Sequence, residues 1–298
     1  MGQIVDPVVL TKGLKTIFFK AYEAYKPDYE KYTTLVDSNA ASENYGWLGT
    51  APTMREWTDE RVPKGLIEYE YSITNKHWEN SIGVDRDDLA DDQYGQINIR
   101  VQDLAERAKQ HPGKLISEQR VLGTSQLCYD GQYFYDTDHS EGSSGSQSNI
   151  LTGTGIDITA IETDLLEARI AFRKLKDDRG EPFHLEGLQF LVVAPPDLEG
   201  IFLKLLNAGE IAGTTNTLKG AADLQINSYL SDTNDWYLDI TNRYIKSFIL
   251  QNRQKIQFDN LTRGSENDFM RKHWYYGADA RYNVGYGLWQ MSIKITNA

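Results

Sequence analysis

At 298 residues the chain exceeds the usual single domain of about 100–200 residues, and 43 acidic against 31 basic side chains leave a net charge of −12. That excess argues against sequence-independent gripping of phosphate backbones, while 40% hydrophobic residues, with 18 Tyr and 6 Trp, supply a substantial core. The single Cys128 excludes an intramolecular disulfide framework, and no apolar run approaches the roughly 18–20 residues of a membrane span. Met1 to Pro7 lacks the basic-then-apolar order of a secretory signal, and Asp6 stands where a myristoylation pattern needs Ser or Thr. A protein made and used in a reducing cytoplasm is the expectation.

Helical spacing opens the chain. Asp6 can cap a helix with Pro7 in its first position, and Leu14, Ile17, Phe18, Ala21, Tyr22 and Tyr25 recur on one face until Pro27. Residues 37–53 are small and polar. The stretch from Leu66 to Lys76 then alternates: Ile67, Tyr69, Tyr71 and Ile73 share one side, and Glu68, Glu70, Ser72 and Thr74 the other. Arg55 to Arg61 is densely charged, and Pro63 with Gly65 marks a turn. Two charged, amphipathic strands around a turn predict a long hairpin without a core of its own, which must lie on its own body or on a neighbouring subunit.

Asp85, Asp87, Asp88, Asp91 and Asp92 precede a helix carried by Ile97, Val101, Leu104 and Ala108, where carboxylates complement the positive end of the dipole. His111-Pro112-Gly113 is expected to break that helix, leaving Leu115 to Leu122 as a second one. Residues 140–149 read as a flexible loop. Thr159 and Glu162 form a capping box for a helix through Ile161, Leu165, Ala168, Phe172 and Leu175, ending near Lys176. Leu188 to Val193 reads as a buried strand and Asp197 to Leu206 as a helix. Tyr244 to Phe258 and Tyr282 to Ile295 read as strands.

Catalytic motifs are mostly missing. Gly113-Lys114 is followed by Leu115, so it is no phosphate loop, and there is no Gly-x-Ser-x-Gly elbow or His-Glu-x-x-His. Asp136, Asp138 and His139 offer metal ligands close in sequence, but they border the polar loop and read as a solvated turn. Leu89 occupies a ligand position that a calcium loop would need. Cys128 reads as a buried, inert thiol. The expectation is therefore no catalytic residue, no cofactor, no metal and no enzyme. A carbohydrate-active enzyme with an aromatic groove and two carboxylates stays as an alternative, because no pair can be chosen among so many acids. An adhesin-like binding module offers no account of the hairpin.

Several stretches carry a resemblance: Tyr45-Gly46-Trp47-Leu48-Gly49, Tyr69-Glu70-Tyr71-Ser72-Ile73 with His77-Trp78-Glu79, Tyr133 to His139, Pro195-Pro196-Asp197, and the closing Tyr276 to Trp289. In this order they resemble tailed-bacteriophage major capsid proteins of the Hong Kong 97-type fold, most of all the major head subunits of Mu-like phages. The resemblance implies an α+β fold with an N-terminal arm over 1–50 and an extended β-hairpin loop over 51–86. A peripheral domain with a long spine helix would comprise 87–150 and 241–269, and an axial domain 151–240 and 270–298. It implies self-assembly into hexamers and pentamers of an icosahedral virion shell, built in the host bacterial cytoplasm around double-stranded DNA that is not bound sequence-specifically.

Under that reading Arg55, Glu56, Trp57, Asp59, Glu60, Arg61, Tyr69 and Tyr71 of the extended loop make the inter-subunit contacts. The short 1–50 segment implies a separate scaffolding protein or protease, with a portal and a decoration protein as further partners. No Lys–Asn cross-link is expected, although Lys64 stands in the hairpin. An acidic lining would repel packaged DNA and let it slide. A bacterial nanocompartment shell, encapsulin-like, is the nearer alternative.

Overall fold

The computed structural model describes residues 7–46, 48, 70–86, 94–183 and 186–297, with the side chains of residues 7–11 and of Tyr94 outside it. Helix α1 (Pro7–Ala24) starts at Pro7, where no backbone N–H is needed, and buries Leu14 and Phe18. Strand β1 (Thr33–Asp37) follows, then β2 (Ser42–Asn44), β3 (Ser72–Thr74) and β4 (Lys76–Asp85). Helix α2 (Tyr94–Val121) runs 28 residues, about 42 Å.

The expected break at Pro112 does not occur. Ile97, Val101, Leu104 and Ala105 bury the stripe before the proline, and Ile116 continues it after. Gly113 leaves room for the Tyr29 ring, which a Cβ would meet at 3.0 Å. The Tyr29 hydroxyl reaches the Lys109 carbonyl at 3.4 Å, and Ser117 Oγ donates to the Gly113 carbonyl at 2.8 Å. Packing on both sides of Pro112 thus outweighs its cost of about 3 kcal/mol in a helix interior.

Two sheets organise the rest. The first has the order β1-β11-β12-β4, with β11 (Phe248–Leu261) and β12 (His273–Tyr286) forming a long antiparallel arm from Phe248↔Tyr286 to Leu261↔Tyr275. Alternation along β12 turns Trp274, Tyr276, Ala278, Ala280 and Tyr282 inward, and the first three pack with α1 and α2 in one cluster. The second sheet has the order β5-β13-β10-β6-β9: β5 (Ile150–Thr152), β6 (Phe190–Ala194), β9 (Asp223–Ile226), β10 (Trp236–Ile240) and β13 (Ser292–Thr296). β6 and β10 are buried along their whole lengths, beside α3 (Ile158–Lys174) and α4 (Glu199–Asn207). Between α4 and β9 lies the small pair β7 (Glu210–Ile211) and β8 (Thr214–Thr215).

Other expectations change in detail. Asp157, rather than Thr159, caps α3: its Oδ1 accepts from the backbone N–H of Thr159 at 2.9 Å and of Ala160 at 3.1 Å. The strand expected from Tyr282 to Ile295 is two strands separated by a turn. At Gly287 a Cβ would collide with the Lys246 carbonyl oxygen, so only glycine lets the chain pass there, and a short helical turn (Trp289–Met291) leads into β13. The chain therefore changes sheets after Tyr286, so residues 273–286 join the first sheet rather than sharing a sheet with 292–296. The acidic run at 87–92 lies outside the described residues, and Asp85 ends β4.

Candidate assembly site

Three constructions stand out: the β2–β3 pair with its surroundings, a buried junction between the sheets, and a bonded loop over 128–149. β2 and β3 pair antiparallel, with Glu43 opposite Ile73. Ile73 is buried, while Ser72 and Thr74 are exposed, as the alternation predicts. Gly285 makes this possible, since a Cβ there would strike Ile73 Cδ1 at 2.5 Å and the Tyr71 hydroxyl at 2.7 Å. The Tyr71 hydroxyl accepts from the Tyr286 backbone N–H at 2.6 Å. Gln251 accepts from the Tyr45 hydroxyl at 2.8 Å and donates to the Ile73 carbonyl at 3.0 Å. Burial pushes the Tyr71 phenol upward, so it stays protonated.

Tyr71 is thus tied to its own body. Arg55, Glu56, Trp57, Asp59, Glu60, Arg61 and Tyr69 lie outside the described residues. After β3, β4 pairs along its full length with β12, from Lys76↔Tyr282 to Asp85↔His273, so residues 76–85 are part of the main sheet.

The junction is centred on Arg120 at the end of α2, whose side chain is 0% exposed. Its guanidinium grips both carboxylate oxygens of Asp239 on β10, with Nη1 to Oδ1 at 3.1 Å. Nη1 also reaches the Tyr135 hydroxyl at 3.2 Å. The rings of Tyr32, Tyr237 and Phe248 lie 4.8–4.9 Å from the guanidinium carbon. Burial opposes the Arg120 charge and Asp239 outweighs it, so the guanidinium stays ionised. One side chain thereby joins α2, the first sheet through Phe248 and the second through Asp239. Sequence reading missed this residue, yet a signal existed: Arg120 continues the buried stripe Ile97, Val101, Leu104 and Ile116, where a cation has no solvent.

The 128–149 segment is bonded to the body through buried polar side chains, against the expectation of a loose loop, while Thr137 and Asp138 are exposed as a solvated turn would have them. His139 is fully buried, stacks on Trp289 at 4.1 Å between centroids, and donates from Nδ1 to Asp130 at 2.6 Å. Glu141 accepts from the Tyr129 hydroxyl at 2.6 Å and from Trp289 Nε1 at 3.0 Å. Asn149 donates to the Phe134 carbonyl at 2.7 Å. Small polar residues are needed here to satisfy a buried backbone, which composition alone cannot distinguish from disorder.

Cys128, Asp130 and His139 nevertheless do not form a nucleophilic triad. The thiol bonds to Asp130 at 3.3 Å, with the carboxylate between it and the imidazole, and burial pushes the thiol well above its ordinary value. Among the described residues no three His, Cys, Asp or Glu side chains are grouped to hold a metal ion, and no helix is long and apolar enough to cross a membrane.

The family profile described as Mu-like prophage major head subunit gpT matches residues 8–161 and 227–298. The chain belongs to this family. Among gpT-type relatives, the Mu-like prophage FluMu major head subunit of Haemophilus influenzae is 27% identical over 90% of this chain, which spans 65% of that protein. The major capsid protein of Escherichia phage Mu is also 27% identical, over 98% of this chain and 75% of its own length.

Among solved structures, the procapsid of bacteriophage JBD30 superposes with a TM-score of 0.61 at 27% identity, covering 99% of this chain and 77% of that one. A virus-like particle from Pyrococcus furiosus gives 0.58 at 10% identity, covering 96% and 99%, and shares the fold. The α+β architecture is thus the Hong Kong 97-type capsid fold, and the gpT relatives are structural proteins rather than enzymes.

Proposed function

We propose that this chain is a major capsid subunit whose copies assemble as hexamers and pentamers into an icosahedral shell around double-stranded phage DNA. The observation that carries the reading is the gpT family match, which takes in both the N-terminal half and the closing β10–β13 region. The fold supports it: α2 and both sheets are tied through Arg120, while the extended loop leaves a root locked by Tyr71, Ile73 and Gln251. In this reading the first sheet with α2 is the peripheral domain and the second sheet with α3 and α4 the axial domain. The loop residues Arg55 to Tyr69 cross to a neighbour, where their charges pair and Trp57 buries apolar area.

A scaffolding protein or protease, a portal and a decoration protein are the further partners of this reading, with assembly in the host cytoplasm. Net charge −12 suits a container that encloses DNA without gripping it. Negative-stain microscopy of the purified chain tests the proposal. Closed particles tens of nanometres across are expected, and a chain that stays monomeric at high concentration contradicts it. Particles that enclose enzyme cargo instead of nuclease-protected DNA would favour the nanocompartment reading.

A further inference from the structure

The net charge of −12 hides one surface of the opposite sign. Between Pro7 and Lys26 the chain carries four lysines against a single acid, Glu23. Helix α1 sorts them by side. Leu14 and Phe18 are buried in the cluster that α1 shares with α2 and β12, while Lys12, Lys15 and Lys20 are exposed. At helical spacing these three fall within about 140° of arc and about 12 Å of axis, so they form one face. None of them has an ion-pair partner among the described residues. On the neighbouring α2, by contrast, Arg107, Lys109, Lys114 and Arg120 each lie within 4.0 Å of a carboxylate oxygen.

The make-up of this face selects its occupant. A protein seat needs an apolar centre and is depleted in lysine. Here the other exposed positions of α1 are Gly13, Thr16, Glu23 and Ala24, and the half-buried rings of Phe19 and Tyr22 turn into the groove beside α2. A phosphate backbone asks for the reverse: point charges on a smooth surface, with no apolar anchor and nothing to read base edges. Lysine without arginine fits that demand, because an ammonium is a point charge and lacks the planar fork of a guanidinium.

We infer that the lysine face of α1 lies against the phosphate backbone of the double-stranded DNA inside the shell. The inference rests on the shell reading and names the subunit's contact with its contents. About three phosphates per subunit make a weak, salt-labile contact, so the acidic remainder still lets the DNA slide while α1 supplies a shallow, repeated attraction. The contact also orients the subunit: the side of the first sheet covered by α1 and α2 faces inward.

Anisotropy of a short labelled duplex, titrated with the purified chain from about 20 to 100 mM salt, tests the contact. The wild type is expected to bind with a slope of log affinity against log salt of about −2 to −3, as three phosphate contacts require. Lys12→Gln with Lys15→Gln and Lys20→Gln should keep the wild-type circular dichroism, lose about tenfold or more of the affinity at the lowest salt, and flatten the slope. Lys174→Gln with Lys176→Gln and Lys204→Gln removes three exposed lysines from the second-sheet side and should stay within about twofold. Equal losses from the two variants, or no duplex binding by the wild type, overturn the contact. So does a poly-glutamate peptide that displaces the duplex at far lower charge concentration than a second duplex does, since an acidic protein would then be the occupant. Particle yield separates this contact from the shell reading. Closed wild-type particles, with undiminished duplex affinity in the α1 variant, overturn the contact alone. A wild-type chain that binds duplex through α1 and never closes into particles overturns the shell reading alone.

Discussion

The inner end of α2 and the tip of the β11–β12 arm reverse the usual partition of side chains in opposite senses. At the first, a guanidinium and a carboxylate are sealed from water among three aromatic rings. At the second, the phenyl ring of Phe269 is held out into water by the buried, multiply bonded carboxylate of Asp268. A chain selected for its lone stability alone would gain little from either. The junction fixes the two sheets as one body, and the tip carries apolar surface outside that body.

Substitution of Arg120 has the largest expected effect. Arg120→Met leaves Asp239 buried without its partner, and should cost about 3–5 kcal/mol in urea denaturation. Asp239→Leu should cost a similar amount, and the double variant should recover much of the loss, because neither charge is then stranded. If Arg120→Met proves as mild as Phe269→Ala, the contrast between the two regions fails. Gly287→Ala comes next. Its methyl would press on the Lys246 carbonyl, and a loss of about 1–3 kcal/mol by thermal denaturation is expected.

These two positions show what was and was not legible in the sequence. β6, β11, α1, α3 and α4 follow from apolar runs and periodicity, since Leu14 and Phe18, or Ile161, Leu165, Ala168 and Phe172, repeat at the spacing of the face they bury. The continuation of α2 through Pro112 was not legible, because it depends on Tyr29, which packs over Gly113 from far away in the sequence. Local propensity names a breaker; tertiary contact overrules it. The change of sheet at Gly287 failed for the same reason, as Lys246 is a distant neighbour. The loop over 140–149 misled in the other direction, because serine and glycine suit a bonded turn as well as a loose one. Of the assembly site, the family and the alternation of Tyr71 with Ile73 were legible. Arg120 could have been flagged by its phase in the apolar stripe, whereas the exposure of Phe269 required the arm.

A smaller effect concerns acid. Burial opposes ionisation of Asp130, but hydrogen bonds from His139, the Gln132 N–H and Cys128 outweigh it and hold the carboxyl below the ordinary carboxylate value of about 3.9. A lowered folded-state value adds stability that is fully present above the unfolded value and is lost as pH falls toward the folded one. Melting temperature followed from pH 6 down should therefore drop more steeply below about pH 4 in the wild type than in Asp130→Asn. Parallel curves would show that this carboxylate does not contribute.

The smallest effect on the isolated fold is expected at the tip. Phe269→Ala should change monomer stability by no more than about 0.5 kcal/mol, since the side chain touches little of its own subunit. A larger loss would mean that the ring supports the arm, and the division between junction and tip would have to be redrawn.

Sedimentation velocity of the purified chain tests the central claim most directly. Assembly into shells predicts a fast boundary, far above any small oligomer, growing with protein concentration at the expense of the slow one. A single slow boundary across the accessible concentration range would contradict it.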